Sequence, residues 1–290
     1  MSFGDDLMAS GHARVESQRC GGPVHILDRN GRPRWSPLWE GLDWIARPGQ
    51  QAAGQVINGS GCRPYLKYPF TREGGAHFSG WRARDHIGAL ALRNEERQWA
   101  RAATAGLGEF VLLEPELAPE ANPNKQWGRD KWMALSERFT GHPTAHGTPG
   151  SRTRPTAGRD LRRDLRLVQP LASPSTAALD GVVGIPCPSF RHAAALIEVA
   201  AISILPEGGL HHAAGALGRP AVVLFGGCIP PEITGYPMHT NLADTGPGSP
   251  CGSWMPCEHC RQVWARLRPA TVYAAAQHAL EERPANGPEL

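Results

Sequence analysis

The chain has 290 residues, of which 41% are hydrophobic and 20% charged. That is enough apolar material for packed cores and too little charge for a disordered polyelectrolyte. A formal charge of +3 gives no sign of the strongly basic face that nucleic-acid binding uses, and the longest apolar stretch, Ala193 to Leu205, is too short to span a bilayer.

At about 100 to 200 residues per domain, the length predicts two domains. Leu7 to Gln18 suits a helix, and Pro23 to Asp28 a short buried strand ended by Asn30-Gly31. Residues 29–83 are rich in Gly, Pro, Trp and Arg and show only strand fragments, at Trp44-Ile45 and Val56-Ile57. Asn94 is placed to cap a helix to Ala103, with Glu95 and Glu96 in its first turn. The stretch Ala105-Gly106-Leu107-Gly108 then marks a boundary between domains 1–106 and 107–290.

The second half alternates more clearly. Strands are expected at Phe110 to Leu113, Leu165 to Val168, Val182 to Ile185, Ile202 to Leu205 and Ala221 to Phe225. Helices are expected at Asp130 to Phe139, from a Ser189 cap to Ala200, at Leu210 to Leu217 closed by Gly218, and from Pro269 onward. Short connections between them point to a doubly wound parallel α/β sheet. Arg152 to Arg166, with six arginines, is expected to be a solvated excursion.

Four places could carry chemistry. Glu207-Gly208-Gly209 lies between a strand and a helix, where helix amides and the dipole favour an anion such as a diphosphate, and a strand-end carboxylate can accept sugar hydroxyls. The competing explanation is a tight turn with a charged cap. His211 and His212 follow, and a buried histidine is the commoner fate for such residues. Glu114 ends another strand, and Lys125, one of three lysines beside 27 arginines, precedes the next helix, where it could reach a phosphate. Gly4-Asp5 at the start would by itself be a helix cap. Finally, Cys251, Cys257 and Cys260 have spacing suited to a structural zinc, with His239, His259 or Cys228 left open as the fourth ligand. Seven cysteines and no export signal at Met1 to Asp6 predict reduced thiols in the cytoplasm.

The run Glu207-Gly-Gly-Leu-His-His-Ala-Ala-Gly-Ala-Leu-Gly-Arg-Pro-Ala-Val-Val-Leu-Phe-Gly-Gly, together with Asn124-Lys125-Gln-Trp-Gly and Gly4-Asp5, resembles glycosyltransferase family 9, the ADP-heptose:lipopolysaccharide heptosyltransferases. The match is strong over about residues 110–282 and faint over 1–104. It implies a GT-B architecture, two Rossmann-like domains facing a cleft, with the first reduced. It implies an inverting transfer of a sugar, heptose in that family, from a nucleotide diphosphate sugar to a lipopolysaccharide or other glycan, at the inner face of a bacterial inner membrane. On this resemblance Asp5 corresponds to the catalytic base and Lys125 to the phosphate-binding lysine. Gly4, Gly208, Gly209 and His212 would then contact substrate, as would Glu114 by its place at a strand end, and Glu207 stands where the family has Asp. No cofactor is required for transfer. The family's first strand, which precedes the Gly4-Asp5 loop, has no counterpart, so the first domain is expected to begin one strand late. A nucleotide-sugar-binding protein without catalysis and a zinc-stabilised interaction protein are the alternatives.

Overall fold

The computed structural model describes residues 3–28, 30–57, 63–66, 78–117, 121–141, 165–173, 176–244 and 246–283. The arginines from Arg152 to Arg163 lie outside them. The second half is built on six strands: β3 (Phe110–Leu113), β4 (Arg166–Leu171), β5 (Val183–Pro186), β6 (Ile202–Pro206), β7 (Ala221–Phe225) and β8 (Thr240–Ala243). Their order is β5-β4-β3-β6-β7-β8, and every neighbouring pair is parallel. This is the doubly wound arrangement in which the strand order reverses between β3 and β6, and ligands bind beyond the strand ends at that reversal.

The pleat explains why these strands read as unbroken apolar runs. Phe110 and Leu112 of β3, with Val223 and Phe225 of β7, enter the core on one face, while Val111, Leu113, Val222 and Leu224 enter the core on the other. On the first face lie α4 (Phe190–Val199) and α5 (Gly209–Ala216), and on the second α3 (Arg129–Thr140) and α8 (Pro269–Glu281). Gly218, at φ +64°, closes the turn after α5 in the left-handed region that a glycine adopts without strain. Lys131 donates to the Trp264 and Leu267 carbonyls at the end of α7 (Glu258–Arg266), so this lysine is a helix cap.

The first half is smaller. Helix α1 (Phe3–Cys20) covers a two-stranded parallel sheet of β1 (Val24–Leu27) and β2 (Gly54–Ile57), followed by α2 (Asn94–Ala103). Its core residues Leu7, Ala9, Ala13, Val24, Ile26 and Trp39 form one cluster with Leu196, Leu210 and Ala214 of α4 and α5, so the apolar interior continues from one half into the other. Helix α1 is buried from Gly4 to Gly11, and backbone passes close to it: a Cβ on Gly11 would lie 2.0 Å from the His86 carbonyl oxygen, and one on Gly88 would lie 2.3 Å from that of Leu7. Ser10 Oγ joins the two segments, accepting from the Ala89 amide at 3.2 Å.

Several expected details differ. Helix α1 starts at Phe3, which puts Gly4 and Asp5 inside its first turn. The cap of α2 is Arg93, whose amide donates to Glu96 at 2.7 Å, and Asn94 is the first helical residue. The apolar pattern did not mark β8, α7 or the short α6 (Pro231–Thr234). β8 is a half-buried edge strand, and in α7 only Cys260, Val263 and Trp264 are buried.

Candidate active site

β6 ends at Pro206, and the chain turns through Glu207 and Gly208 into α5. Glu207 is held in register by its amide, which donates to the Leu224 carbonyl at 2.9 Å. Its carboxylate is buried between Lys125 and His212. The Lys125 ammonium, on a 3₁₀ turn at Pro123–Lys125, contacts Oε2, and His212 Nε2 lies 3.6 Å from Oε1. Burial by itself would raise the Glu207 pKa, but Lys125 and His212 outweigh it and hold it at about 2. The other ring nitrogen of His212, Nδ1, shares a hydrogen bond of 3.0 Å with the Tyr236 hydroxyl. This bond and the packing of α5 leave the imidazole little freedom.

The amino ends of α1 and α5 meet at this point. A Cβ on Gly4 would stand 2.9 Å from His212 Cδ2 and 3.3 Å from Gly209 Cα. Only glycine lets the two helices approach so closely. Each helix end carries amides without helical partners and a positive partial charge, so both favour a shared anion. In this arrangement the amino end of α5 is covered. Phe3 stacks on Phe190 with ring centroids 4.7 Å apart, and Cβ atoms on Gly209 and Gly208 would meet Phe190 at 3.0 Å and Leu117 at 3.1 Å.

Asp5, one residue on, is buried and accepts from Arg63 Nε at 3.2 and 3.1 Å. The Arg63 guanidinium lies over the Trp254 ring, 4.0 Å from its centroid, and Arg63 and Glu207 also attract each other. Tyr65 belongs to the same group, its hydroxyl pKa pushed well up by burial and by Asp5. Asp6 instead anchors α1 to the following segment. Its carboxylate accepts from Arg34 and Ser36, both at 2.6 Å, and its carbonyl accepts from Trp39 Nε1 at 2.9 Å.

Glu114 sits at the end of β3, its amide donating to the Ile204 carbonyl of β6 at 3.2 Å. Its Oε2 is buried with no hydrogen-bond partner, and burial raises its pKa well above the ordinary 4.5. A raised acid is most at home in the folded state while protonated. Its contribution to stability is therefore intact below 4.5 and falls as the pH rises through the elevated folded value. Glu114→Gln is expected to stabilise the chain at pH 8 by about 1–3 kcal/mol relative to wild type, with little difference at pH 4. Urea unfolding at the two pH values checks this, and an unchanged pH slope in the variant would contradict it.

Cys251, Cys257, His259 and Cys260 offer ligand atoms that all lie within 4.8 Å of one another. The structure thus selects His259 among the three possible fourth ligands. His239 is bonded to the Arg219 carbonyl at 3.2 Å, and the Cys228 thiol donates to the Ser253 carbonyl at 3.2 Å. His211 is fully buried among Phe225, Tyr236 and His239, and burial pushes its pKa well down.

The structure thus brings Gly4, Asp5, Lys125, Glu207, Gly208, Gly209 and His212 to one place, and puts Glu114 at the strand reversal. Sequence reasoning missed Arg63, Tyr65, Tyr236 and Trp254. In a chain with 27 arginines, Arg63 carried no distinguishing mark, and Trp254 sits in a loop without periodicity.

A six-stranded doubly wound parallel sheet stands beside a smaller amino-terminal α/β unit. No family model matches the sequence, and no curated protein matches it. Solved structures share the fold. A family 9 glycosyltransferase from Veillonella parvula is 12% identical and aligns over 98% of this chain and 96% of its own, with a TM-score of 0.61. The iron-containing dodecameric glycosyltransferase TibC from enterotoxigenic E. coli is 11% identical, covers 97% of this chain and 74% of its own, and has a TM-score of 0.58. ADP-heptose lipopolysaccharide heptosyltransferase II from E. coli is 15% identical over 67% of this chain with a TM-score of 0.46, and this chain spans only 54% of its length. The chain therefore shares its fold with the Veillonella family 9 glycosyltransferase and with TibC. Among the described residues, no helix is long and apolar enough to cross a membrane.

Proposed function

We propose that the protein is an inverting glycosyltransferase that moves a sugar from a nucleotide diphosphate sugar to a glycan or glycolipid acceptor. The observation that carries this is the meeting of two helix amino ends, with Asp5 on one and Lys125, Glu207 and His212 around the other. Asp5 takes the proton of an acceptor hydroxyl, the oxygen attacks the anomeric carbon, and the bond to the diphosphate breaks. Lys125 and the α5 amides stabilise the charge on the departing nucleoside diphosphate. Glu207, and Glu114 with its unpartnered oxygen, are placed to accept donor hydroxyls. Arg63 orients Asp5.

The donor's phosphates need the amino end of α5, so the Phe3 turn has to shift from Phe190 on binding, and Lys125 exchanges part of its contact with Glu207 for phosphate. Heptose as the sugar, lipopolysaccharide as the acceptor and a peripheral position at the inner membrane follow from the sequence resemblance and belong to the same proposal. So does the division of labour, with residues 107–290 holding the donor and 1–106 facing the acceptor. Transfer itself draws its positive charge from Lys125 and the helix ends. One observation favours a binder without catalysis: Arg63 already engages the Asp5 carboxylate.

ADP binding measured by calorimetry tests the donor site. Lys125→Ala is expected to weaken ADP at least tenfold, a loss of about 1.4 kcal/mol, and equal affinity in the variant would remove Lys125 from the site. The binder alternative predicts the same loss but no sugar transfer to any acceptor.

A further inference from the structure

The segment 249–257 touches both halves of the donor site, yet it contains neither strand nor helix. Asn124, next to Lys125, donates from Nδ2 to the Ser253 and Met255 carbonyls at 2.9 and 2.7 Å, and its Oδ1 accepts from the Cys257 amide at 3.0 Å. Asn122 donates to the Ser253 carbonyl at 2.9 Å. Trp254, between them, carries the Arg63 guanidinium that holds Asp5. Two residues beside the phosphate-binding lysine and the partner of the base therefore depend on one irregular loop.

The ends of that loop carry the thiols. We propose that Cys251, Cys257, Cys260 and His259 bind one zinc ion, and that this ion fixes the loop so that it positions Lys125 and Arg63. A tetrahedral zinc with sulfur at about 2.3 Å and nitrogen at about 2.0 Å separates its ligand atoms by roughly 3.5–3.8 Å, and the four present atoms already lie within 4.8 Å of one another. Cys251 and Cys260 sulfurs stand 3.2 Å apart. The imidazole is also set for a metal. Its Nε2 is hydrogen-bonded to Ser249 Oγ at 3.1 Å, while Nδ1 is buried with no hydrogen-bond partner. When Nε2 carries the proton and donates it to Ser249, Nδ1 presents a lone pair, which is how a histidine ligand is held by its other nitrogen. Three thiolates and one imidazole in a tetrahedral set suit zinc. Cys228, bonded to the Ser253 carbonyl, accepting from Asn122 at 3.4 Å and hydrogen-bonded to the Cys251 thiol, lies beside the set of four.

The positioning role rests on the donor-site proposal; the ligand set does not. The full chain, purified without added metal, is expected to carry about one equivalent of zinc by elemental analysis. Cobalt(II) put in its place should show the visible bands of tetrahedral thiolate coordination. His259→Ala and Cys260→Ser should lose the metal, whereas His259→Cys should keep it. Removing zinc, by Cys257→Ser or by chelation of the wild type should that variant fail to fold, is expected to speed amide exchange in residues 121–127 while β3 and β6 stay protected, and to weaken ADP binding at least tenfold. Less than about a tenth of an equivalent of zinc would overturn the site, and iron in its place would overturn the choice of metal. Unchanged exchange in 121–127 after zinc loss would overturn the positioning role. Zinc-loaded protein that fails to bind ADP would instead count against the donor-site proposal, because metal content and amide exchange are read without any nucleotide.

Discussion

Asp5→Asn is expected to reduce sugar transfer by about 10²- to 10⁴-fold, the usual contribution of a general base, while leaving ADP affinity within about twofold of wild type. Asparagine keeps the volume of the side chain and one oxygen for Arg63, so the first turn of α1 and the approach of Gly4 to Gly209 are preserved. What it loses is the ability to take a proton. The variant also leaves the Arg63 guanidinium facing a neutral partner, but that group is a quarter exposed and rests on Trp254, so the charge is partly solvated. Steady-state release of nucleoside diphosphate, with and without acceptor, separates the two effects. An unchanged kcat would remove Asp5 from the chemistry and leave it as a structural partner of Arg63.

The largest effect on stability is expected away from the donor site, at the ion pair that fastens the two halves of the chain. Arg191 on α4 donates from Nε and Nη2 to Glu96 of α2 at 2.6 and 2.9 Å, and from Nη1 to the Pro37 carbonyl at 3.3 Å. It also contacts the Ala91 carbonyl. Both charged side chains are 7% exposed. Removing one partner leaves the other charged, buried and poorly solvated, which costs about 3–5 kcal/mol. Glu96→Ala is therefore expected to lower the free energy of unfolding by that amount in urea titrations. Replacing both residues, as Glu96→Leu with Arg191→Met, should recover most of it, because the pair as a whole gains little over apolar groups of similar size. A loss below about 1 kcal/mol in Glu96→Ala would show that water reaches the pair.

The centre of the parallel sheet was legible because its strands are buried on both faces. Phe110 to Leu113 and Ala221 to Phe225 appear as four- and five-residue apolar runs, and they are strands with those bounds. The residues proposed to hold the donor, Lys125, Glu207, Gly208, Gly209 and His212, were legible for a related reason: they lie at, or in the first helical turn after, a junction between a strand and a helix, where the fold presents backbone amides. The first half was not. Helix α1 is buried on all sides over its first half, which erases the 3.6-residue period, and contact with Gly88 and Gly209 decides its position. Arg63 and Trp254 meet only through tertiary structure, far apart in sequence, and nothing local marks either of them. The fourth member of the thiol cluster was open among three residues because ligand spacing constrains distance along the chain and says nothing of direction. The structure groups His259 with the three thiols.

If the amino ends of α1 and α5, with Lys125 between strand and helix, receive a nucleotide diphosphate, a crystal structure of the chain with ADP bound shows it most directly. The expected result is the β-phosphate within hydrogen-bonding distance of the Lys125 ammonium and the Gly209 amide, with Phe3 displaced from Phe190 and Asp5 facing the side from which an acceptor would approach. ADP bound elsewhere, with Lys125 still paired to Glu207 and Phe3 still stacked on Phe190, would contradict it.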